Sequence, residues 1–423
     1  MPGHVIMVVR SWPRQSQSFI VDEVVAMERR GLELTIVSLA RSGERRRHPQ
    51  LDAMRAMVLF LDAAGANARW TRILEHTRAL AGAPGRYLRT LGYAWLHPRL
   101  SRGYSTYSTI RCFDHAVAVA GLAFRLRRSG AGAPHIHAHF AHDPALVGML
   151  ASRLTGLTFS FTAHAEDLYR IPPASLLARV TAANAVVTCC QANAAYIARN
   201  VPRTVRPPVR VIHHGVELDR FRPARRPARP DLTLVSIGPL TEEHGYVDLL
   251  RACAALAESG HRFTCEVYGD GPLRRQLIEL SVGFGLAGQV SFRGERSRDE
   301  IGRVLAGADI FVVTPGGATD DDADGRPNVV LDAMASGVPV VTTAIASLSE
   351  LVRSGQNALV APPGDVETIA AHLAALLTEP ALRRRIGEGG RHTVEARYDV
   401  EAAASALETV FGTRTSLPAE VAP

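Results

Sequence analysis

The chain is 423 residues long, and with 47% hydrophobic and 21% charged residues it exceeds what a single hydrophobic core usually supports. We therefore expect two globular domains, and the same composition argues against disordered and membrane-spanning classes. The net charge of +7 is spread along the chain instead of forming one block, so nucleic acid is not an expected partner.

The sequence also restricts the compartment and the nucleotide-binding motif. No uninterrupted apolar run reaches the ~18 to 20 residues that cross a bilayer, and the amino terminus begins a strand rather than a signal peptide, which predicts a cytoplasmic protein. All 48 basic residues are arginine, and a P-loop is excluded because that motif needs its lysine. Five cysteines match neither a disulfide framework nor zinc-ligand spacing and are expected to be free thiols: Cys112, Cys189, Cys190, Cys253 and Cys265.

The first half alternates short apolar runs with helical periods, which is typical of parallel strands covered by helices. A long helical stretch at about 67–128 interrupts this alternation, and its part at 86–107 is basic and aromatic. We place the first domain at 1–213. Its predicted strands lie at 5–9, 34–39, 135–139, 158–162, 185–188 and 209–212.

A linker is predicted at 214–230, where proline and arginine concentrate from Phe221 onward and break regular structure. The alternation then restarts and defines a second domain at 231–398. Residues 399–423 are expected to form a helix and a tail, with a return of the helix to the first domain left open. The predicted strands of the second domain lie at 232–237, 263–268, 290–292, 310–313 and 338–342.

The strongest chemical signal is an acidic, Gly-rich loop followed by a helix. Backbone N–H groups at the helix start near Pro327, Asn328 and Val329 form an anion site, and the helix dipole there favours a diphosphate. Asp332 lies within the helix, where a carboxylate can accept both hydroxyls of a ribose. The alternative is that Asp324 and Asp332 are ordinary solvated charges at a helix start.

Three histidines alternate along one predicted strand, so His135, His137 and His139 project to one face. Imidazole suits zinc and copper, but no carboxylate or cysteine nearby completes a regular metal spacing, and no metal site is predicted. His135 and His137 fit hydrogen-bonded core histidines. His139 stands at the carboxyl end of the strand, where active sites of open sheets collect, and is the candidate for contact with the reacting centre.

The segment from Asp324 to Asp332 resembles the E-x7-E signature of the family 4 retaining glycosyltransferases, with both glutamates replaced by aspartate and the spacing of eight kept. The resemblance covers nearly the whole chain and is closest to the subgroup that builds bacterial polysaccharides and related glycosides. It implies the α/β GT-B fold, in which two doubly wound Rossmann-like domains face a central cleft. It also implies that Asp324 contacts the donor sugar and that Asp332 contacts the nucleotide ribose.

Further segments carry the same resemblance. Residues 16–23 resemble the first loop and helix of the family, and residues 135–141 resemble the strand end that places a histidine beside the reacting sugar. Residues 161–169 resemble the next loop, 211–221 the entry to the second domain, and 268–273 its Gly-rich turn. The catalytic candidates are His139 and Asp324. The acceptor-side candidates are Ser18, Phe19, His164 and Asp167. The donor-binding candidates are Gly238, His244, Gly269, Asp270, Gly271, Arg326, Pro327, Asn328, Val329 and Asp332.

The chain departs from the family after Gly238. Relatives carry an arginine and a lysine that hold the donor diphosphate, whereas this chain has Pro239 and His244. Losing two cations removes charge-assisted hydrogen bonds of about 1.5 to 3 kcal/mol each, so the site must compensate or lose activity. Arg326, beside the helix start, is a candidate substitute, and a protonated His244 is another.

The resemblance implies a metal-independent hexosyltransferase without cofactor, which uses a nucleotide diphosphate sugar and retains the anomeric configuration. The acceptor is left open among a saccharide, a lipid-linked saccharide and a small-molecule aglycone. The helical stretch either touches the inner face of the membrane or packs as a surface helix pair. A catalytically silent scaffold or partner subunit is the alternative function, and a dinucleotide enzyme is disfavoured because no G-x-G-x-x-G opens the first helix.

Overall fold

The computed structural model describes residues 3–14, 17–43, 49–62, 66–103, 106–130, 132–224, 231–316, 328–345 and 348–412. The chain forms two compact units: the first consists of residues up to His214 together with those from Glu401 onward, and the second runs from Gly215 to Val400. Each unit is built around one parallel sheet covered by helices. The predicted α/β class, with two doubly wound domains, is confirmed.

The first unit contains a seven-stranded sheet with the order β3-β2-β1-β4-β5-β6-β7. Its centre is a fully buried apolar run, since Val5 to Val9 have no exposed surface. Strand β3, a four-residue strand at the sheet edge with half-exposed or exposed side chains, was not predicted, although it lies within the apolar run 56–61. The strands are β1 His4–Trp12, β2 Glu33–Arg41, β3 Met57–Phe60, β4 His135–His139, β5 Phe159–Ala163, β6 Ala185–Thr188 and β7 Val209–Val211.

The predicted helical stretch forms three helices between β3 and β4, and these are the second, third and fourth helices of the first unit. The fourth is the most buried of them, and it packs against the fifth in the main core of this unit. The helices are α1 Ser18–Arg29, α2 Ala66–Gly82, α3 Pro84–Leu96, α4 Thr109–Arg128, α5 Asp143–Thr155, α6 Ala165–Leu168, α7 Pro173–Ala182 and α8 Gln191–Asn200. Short 3-10 turns lie at Pro49–Asp52 and Pro98–Ser101.

The strand order reverses direction at β1, which pairs with β2 on one side and with β4 on the other. The register sets Met7 opposite Ile36 of β2 and opposite His137 of β4. Connections leave toward opposite sides of the sheet at such a point, which opens a crevice at the carboxyl ends of the strands. The end of β4, at His139, is therefore a favoured ligand position.

The second unit has a six-stranded sheet with the order β10-β9-β8-β11-β12-β13, and its direction reverses between β8 and β11. The strands are β8 Leu232–Ile237, β9 Phe263–Tyr268, β10 Val290–Phe292, β11 Ile310–Val312, β12 Val340–Thr343 and β13 Leu359–Ala361. The helices are α9 Tyr246–Glu258, α10 Arg274–Gly283, α11 Arg298–Gly307, α12 Asn328–Ala335, α13 Val366–Thr378 and α14 Pro380–Arg397, with a 3-10 turn at Glu242–His244. The sequence missed β13, which is a three-residue edge strand.

Part of the predicted linker belongs to the core of the second unit. Val216 and Phe221 are buried among residues of β8, α11 and α12, and Val216 forms a β-bridge with Asp399. Burial of two apolar side chains explains why this stretch does not behave as a free connection, although it lacks regular structure. Of the proline-rich part, residues 225–230 lie outside the described residues.

The last helix, α15 Val400–Gly412, lies with the first unit from Glu401 onward. Arg30 of α1 donates to Glu408 at 2.8 Å and to Ser405 at 3.1 Å, and the ring of Phe411 lies 5.0 Å from that of His137. Within the described part of the chain, no helix combines the length and apolarity required to span a membrane.

Candidate functional site

Four neighbouring strands of the first sheet end in side chains that bind protons or metals. His139 ends β4, His164 follows β5 directly, Cys189 follows β6, and His214 lies three residues after β7. Because the strands are parallel and adjacent, their carboxyl ends meet at one edge of the sheet. The structure thus brings the candidates His139 and His164 together, with ring centroids 5.8 Å apart, and adds Cys189 and His214.

His139 is held by a carboxylate that the sequence did not single out. Its Nε2 lies 2.9 Å from Oε1 of Glu23 on α1, and its side chain has no exposed surface. With a proton on Nε2, the imidazole donates to this carboxylate, and the other nitrogen is left as an acceptor in the neutral ring. Nδ1 is buried and has no hydrogen-bond partner in the described part of the chain.

His135 and His137 are core histidines whose four ring nitrogens contact hydroxyl groups of the neighbouring strand. His135 lies 2.8 Å from Thr158 Oγ1 and 2.7 Å from Ser160 Oγ. His137 lies 2.8 Å from the same serine oxygen and 3.0 Å from Thr162 Oγ1. Burial lowers the pKa of His135 to about 3. The rings of His135 and His137 are therefore engaged by hydroxyl groups of the neighbouring chain segment.

The acceptor-side candidates Phe19 and His164 form one cluster with His214. The Phe19 ring lies 4.0 Å from that of His214 and 5.2 Å from that of His164, while the two imidazoles stack with centroids 5.2 Å apart and planes 5° apart. Phe140 adds its ring at 4.5 Å from His164 and has a positive φ of 81°, which is rare outside glycine. Backbone strain of this kind collects at functional sites. Ser18, half-buried, is the first residue of α1.

Asp167 holds two loops together instead of facing a ligand. It is fully buried, and its carboxylate accepts from the backbone N–H of His142 at 2.9 Å and of His164 at 3.2 Å. The negative charge is compensated by the buried guanidinium of Arg179, whose pKa burial lowers to about 10 while Asp143 and Asp167 oppose that shift. The expected contact with an acceptor therefore gives way to a positioning role, because no surface of Asp167 is open.

In the second unit, the loops after β8 and β9 interlock through their glycines. A Cβ on Gly269, which has φ of +145°, would lie 1.9 Å from the carbonyl oxygen of Gly238, and one on Gly271 would lie 2.6 Å from that of Leu240. Gly271 N–H also donates to Asp270 Oδ1 at 2.8 Å. The Gly-rich turn is required because only glycine allows such a close approach of two backbones. These donor-binding candidates thus share one side of the sheet's switch point.

His244 is fixed in the loop after β8. Its Nδ1 lies 2.8 Å from Thr241 Oγ1, and Gly245, with φ of +65°, follows it. Thr314, which follows β11, donates through Oγ1 to the Gly245 carbonyl at 2.8 Å, and any Cβ on Gly245 would collide with the Thr314 backbone. The loops after β8 and β11 are therefore joined across the switch point, and Pro239 lies exposed in the first of them.

The helix α12 begins at Asn328 and carries Asp332, as expected, but Asp332 already has a partner. Arg298, the first residue of α11, donates from Nη2 to Asp332 Oδ1 at 3.1 Å, and both side chains are largely buried. Asn328 and Val329 lie half-buried at the helix start. Asp324, Arg326 and Pro327 lie outside the described residues.

Sequence reasoning missed Glu23, Phe140, Cys189, His214 and Arg298. Glu23 and His214 stood inside segments that carried the resemblance, but nothing in one sequence shows which side chains of a segment meet. Cys189 was noticed only as half of a cysteine pair. Arg298 was concealed by the abundance of arginine in this chain.

Residues 219–393 match the protein-family model described as Glycosyl transferases group 1. The matched range contains all six strands of the second unit and the glycine loops at its switch point. It ends within α14 and leaves the first unit outside.

Two relatives and one solved structure extend this comparison. The chain is 32% identical to the amylovoran biosynthesis glycosyltransferase AmsK of Erwinia amylovora over 169 residues, 40% of this chain and 42% of AmsK, so it spans less than half of that relative. It is 26% identical to the 2-deoxystreptamine glucosyltransferase of Streptomyces kanamyceticus over 283 residues, 61% of this chain and 71% of that protein. HepE of Anabaena, solved in complex with UDP and glucose, superimposes with a TM-score of 0.63 at 15% identity, over 96% of this chain and 98% of HepE. The fold is therefore GT-B.

Proposed function

We propose that the protein is a glycosyltransferase that transfers a sugar from a nucleotide diphosphate sugar to a hydroxyl acceptor. The observation that carries the proposal is the match of the glycosyltransferase model to the whole switch-point region of the second unit, where Gly238, Gly269 and Gly271 shape the loops. Ligands of doubly wound sheets bind in that crevice. HepE, which shares the fold, was solved with UDP and glucose.

In the proposed donor complex, the ribose lies against Asp332 and the diphosphate against the start of α12. Arg298 binds one carboxylate oxygen of Asp332 and so orients the other, in the manner of an outer partner that fixes a binding group. The N–H groups at Asn328 and Val329 have no partner within the helix and point along its positive end. Arg326 and His244 supply the remaining positive charge, and Asp324 contacts the sugar.

The proposed reaction retains the anomeric configuration and needs no metal. The acceptor hydroxyl attacks the anomeric carbon from the face that the diphosphate leaves, and the departing phosphate oxygen accepts the hydroxyl proton. The growing negative charge is stabilised by the N–H groups at the start of α12. His139, buried at the end of β4 and bonded to Glu23, lies at the acceptor side of this scheme. A saccharide is the acceptor class that we favour, since AmsK is named for a polysaccharide, and the Streptomyces relative, named for 2-deoxystreptamine, makes a small-molecule aglycone the alternative.

The decisive experiment is a thermal-shift screen of the full chain against nucleoside diphosphates and monophosphates, because a ligand that binds the native state raises stability by mass action. The diphosphate that gives the largest shift is then tested as its sugar conjugates for hydrolysis and transfer. Stabilisation by one diphosphate with sugar turnover supports the proposal. Binding without turnover supports a silent scaffold, which Pro239 and His244 favour. Absence of binding to every nucleotide contradicts sugar transfer and supports a silent scaffold or partner subunit.

We also propose that the helical stretch at about 67–128 contacts the inner face of the membrane. Its first two helices leave large apolar side chains exposed, and Trp70 and Trp95 expose 70% and 71% of their surface. Arginines accompany these side chains in the sequence, so apolar burial and attraction to anionic lipid act together. A lipid-linked saccharide would be presented at such a surface.

A further inference from the structure

We infer that His164, Cys189 and His214 form a binding site for Zn²⁺ at the carboxyl edge of the first sheet. The inference goes beyond the proposed sugar transfer, which requires no metal. It also differs from the histidine trio of β4, whose first two members are engaged by hydroxyl groups.

The three side chains come from the ends of three adjacent strands, β5, β6 and β7. One ligand atom from each side chain lies within 4.8 Å of the other two. This convergence is a product of the parallel sheet, since the residues are separated by 25 positions each in the sequence. The spacing of His164, Cys189 and His214 in the sequence therefore does not reveal that they converge.

Two imidazoles and one thiolate suit Zn²⁺, a borderline cation that binds nitrogen and sulfur. Typical Zn–N and Zn–S bonds of about 2.0 to 2.1 Å and 2.3 Å place tetrahedral ligand atoms about 3.4 to 3.6 Å apart. The widest separation that the present geometry allows, 4.8 Å, exceeds these values by about 1.2 to 1.4 Å. The stacked rings of His164 and His214 must also turn until both ring planes contain the ion, and rotation of the side chains supplies both changes. Three protein ligands leave a fourth position for water, as in zinc sites that remain open.

His164 presents a buried ring nitrogen that is suited to bind a metal ion. Its ring is buried, and Nε2 has no hydrogen-bond partner among the residues that the structure describes. A buried nitrogen without a partner is costly, and metal coordination would remove that cost.

The outer contacts orient Cys189 and the segment of His214. Asn193 donates from Nδ2 to Cys189 Sγ at 3.7 Å, and Tyr169 in turn donates its hydroxyl proton to Asn193 Oδ1 at 2.8 Å. His213 Nδ1 lies 2.7 Å from the Cys189 carbonyl oxygen and ties the two strand ends together. Ligands of metal sites are commonly fixed by such outer partners. On binding, Cys189 coordinates as the thiolate, and its proton is released to solvent.

The test uses the full chain after treatment with a chelator and a thiol reductant. Zn²⁺ is titrated in competition with a chromophoric chelator, and Co²⁺ serves as the spectroscopic probe because a thiolate ligand gives a charge-transfer band in the near ultraviolet. We expect one equivalent of Zn²⁺, a Co²⁺ spectrum with that band, and proton release on binding. The absence of stoichiometric binding, or a Co²⁺ spectrum without a thiolate band, overturns the inference without any variant.

Variants then assign the ligands, with Cys190→Ser as the matched control for Cys189→Ser. Loss of an outer partner alone typically costs about 10- to 100-fold in metal affinity, so Cys189→Ser should cost at least about 100-fold and abolish the charge-transfer band, while Asn193→Ala should cost about 10- to 100-fold. His164→Gln and His214→Asn should each weaken Zn²⁺ binding. These two variants test the site even if Cys189→Ser fails to fold. Cys190→Ser should bind as the original chain does. Loss of the band in Cys190→Ser with retention in Cys189→Ser would refute the assignment. Because the readout is metal binding, it stands apart from any failure of the sugar-transfer proposal.

Discussion

Glu23 and His139 form a carboxylate–imidazole contact inside the first unit: Oε1 and Nε2 lie 2.9 Å apart, and the imidazole has no exposed surface. A second carboxylate–histidine pair in the same unit provides the comparison. Glu33 Oε2 lies 3.4 Å from His4 Nδ1, but this carboxylate is 71% exposed. The same two residue types are therefore joined once in the interior and once at the surface.

The first prediction compares these two pairs. Glu23→Ala leaves a buried imidazole without its carboxylate partner and should lower the free energy of unfolding by about 1 to 3 kcal/mol. Glu33→Ala should change it by no more than about 0.5 kcal/mol, because water replaces an exposed partner. Denaturant titration of both variants measures the difference. Equal losses would mean that the interior contact has no special weight.

The second prediction concerns the nucleotide. Asp332→Ala removes the proposed acceptor for the ribose hydroxyls and should raise the dissociation constant of the preferred nucleotide by about 10- to 150-fold, equivalent to about 1.5 to 3 kcal/mol. Asp299→Ala is the control, since Asp299 is a half-exposed carboxylate on α11 that pairs with Arg220. Calorimetry on both variants decides the role. An unchanged dissociation constant in Asp332→Ala rejects the ribose contact.

The fold was predictable to a large extent because parallel strands leave buried apolar runs that alternate with helices. Strand β4 has the predicted bounds of His135–His139, and both switch points follow from strands whose central residues are buried. Two of the four edge strands, β3 and β13, escaped the prediction although each lies in a short apolar run, whereas the edge strands β7 and β10 were predicted. The burial of Phe221 was not predicted, because the surrounding prolines and arginines indicated an exposed linker.

The site was less predictable because its chemistry depends on pairs. His139 could be chosen from its place at a strand end, but its partner lies 116 residues earlier in the chain. Asp332 was identified, whereas the guanidinium of Arg298 that binds it was not. Asp167 carries the type of side chain that contacts a ligand, yet its carboxylate accepts hydrogen bonds from two backbone N–H groups. Residue type and spacing thus indicate where chemistry occurs, and tertiary packing decides which groups remain open.

The third prediction is a loss of stability in mild acid that depends on His115. Burial, and then the charges of Arg72 and Arg111, lower the pKa of His115 to about 3, whereas an unfolded histidine has a pKa near about 6.5. As pH falls below about 6.5, the unfolded chain binds a proton that the folded chain excludes, so unfolding is favoured by about 1.4 kcal/mol per pH unit for this group. Denaturant titrations from pH 7.5 to 5 should show a shallower pH dependence in His115→Leu. His97→Leu, at an exposed position, should retain the original slope, and equal slopes in all three proteins would contradict the prediction.

The fourth prediction tests the membrane surface. The full chain should co-sediment with anionic vesicles at low salt, and Trp70→Gln with Trp95→Gln should reduce the bound fraction because each exposed indole loses its apolar contact with lipid. Phe284→Gln is the control, since Phe284 is also exposed but lies in the second unit. Neutral vesicles should bind less, because arginine attraction requires anionic lipid. If vesicles leave the original chain in the supernatant, the helices α2 and α3 are a surface pair only.

The fifth prediction is that Arg326 has taken over part of the diphosphate contact that Pro239 and His244 vacate. Arg326 stands between Gly325 and Pro327, directly before the start of α12, and a guanidinium can bind phosphate through two parallel hydrogen bonds. Arg326→Ala should therefore weaken binding of the nucleoside diphosphate by about 1.5 to 3 kcal/mol and should hardly change binding of the bare nucleoside. Arg275→Ala is the matched control, because that side chain is 91% exposed in the same unit. Equal losses for nucleotide and nucleoside, or no loss, would show that Arg326 is a solvated surface charge. In that event Pro239→Arg with His244→Lys restores the cations of the relatives: a gain of transfer activity would identify a weakened enzyme, and no gain would favour a scaffold that binds nucleotide without transferring sugar.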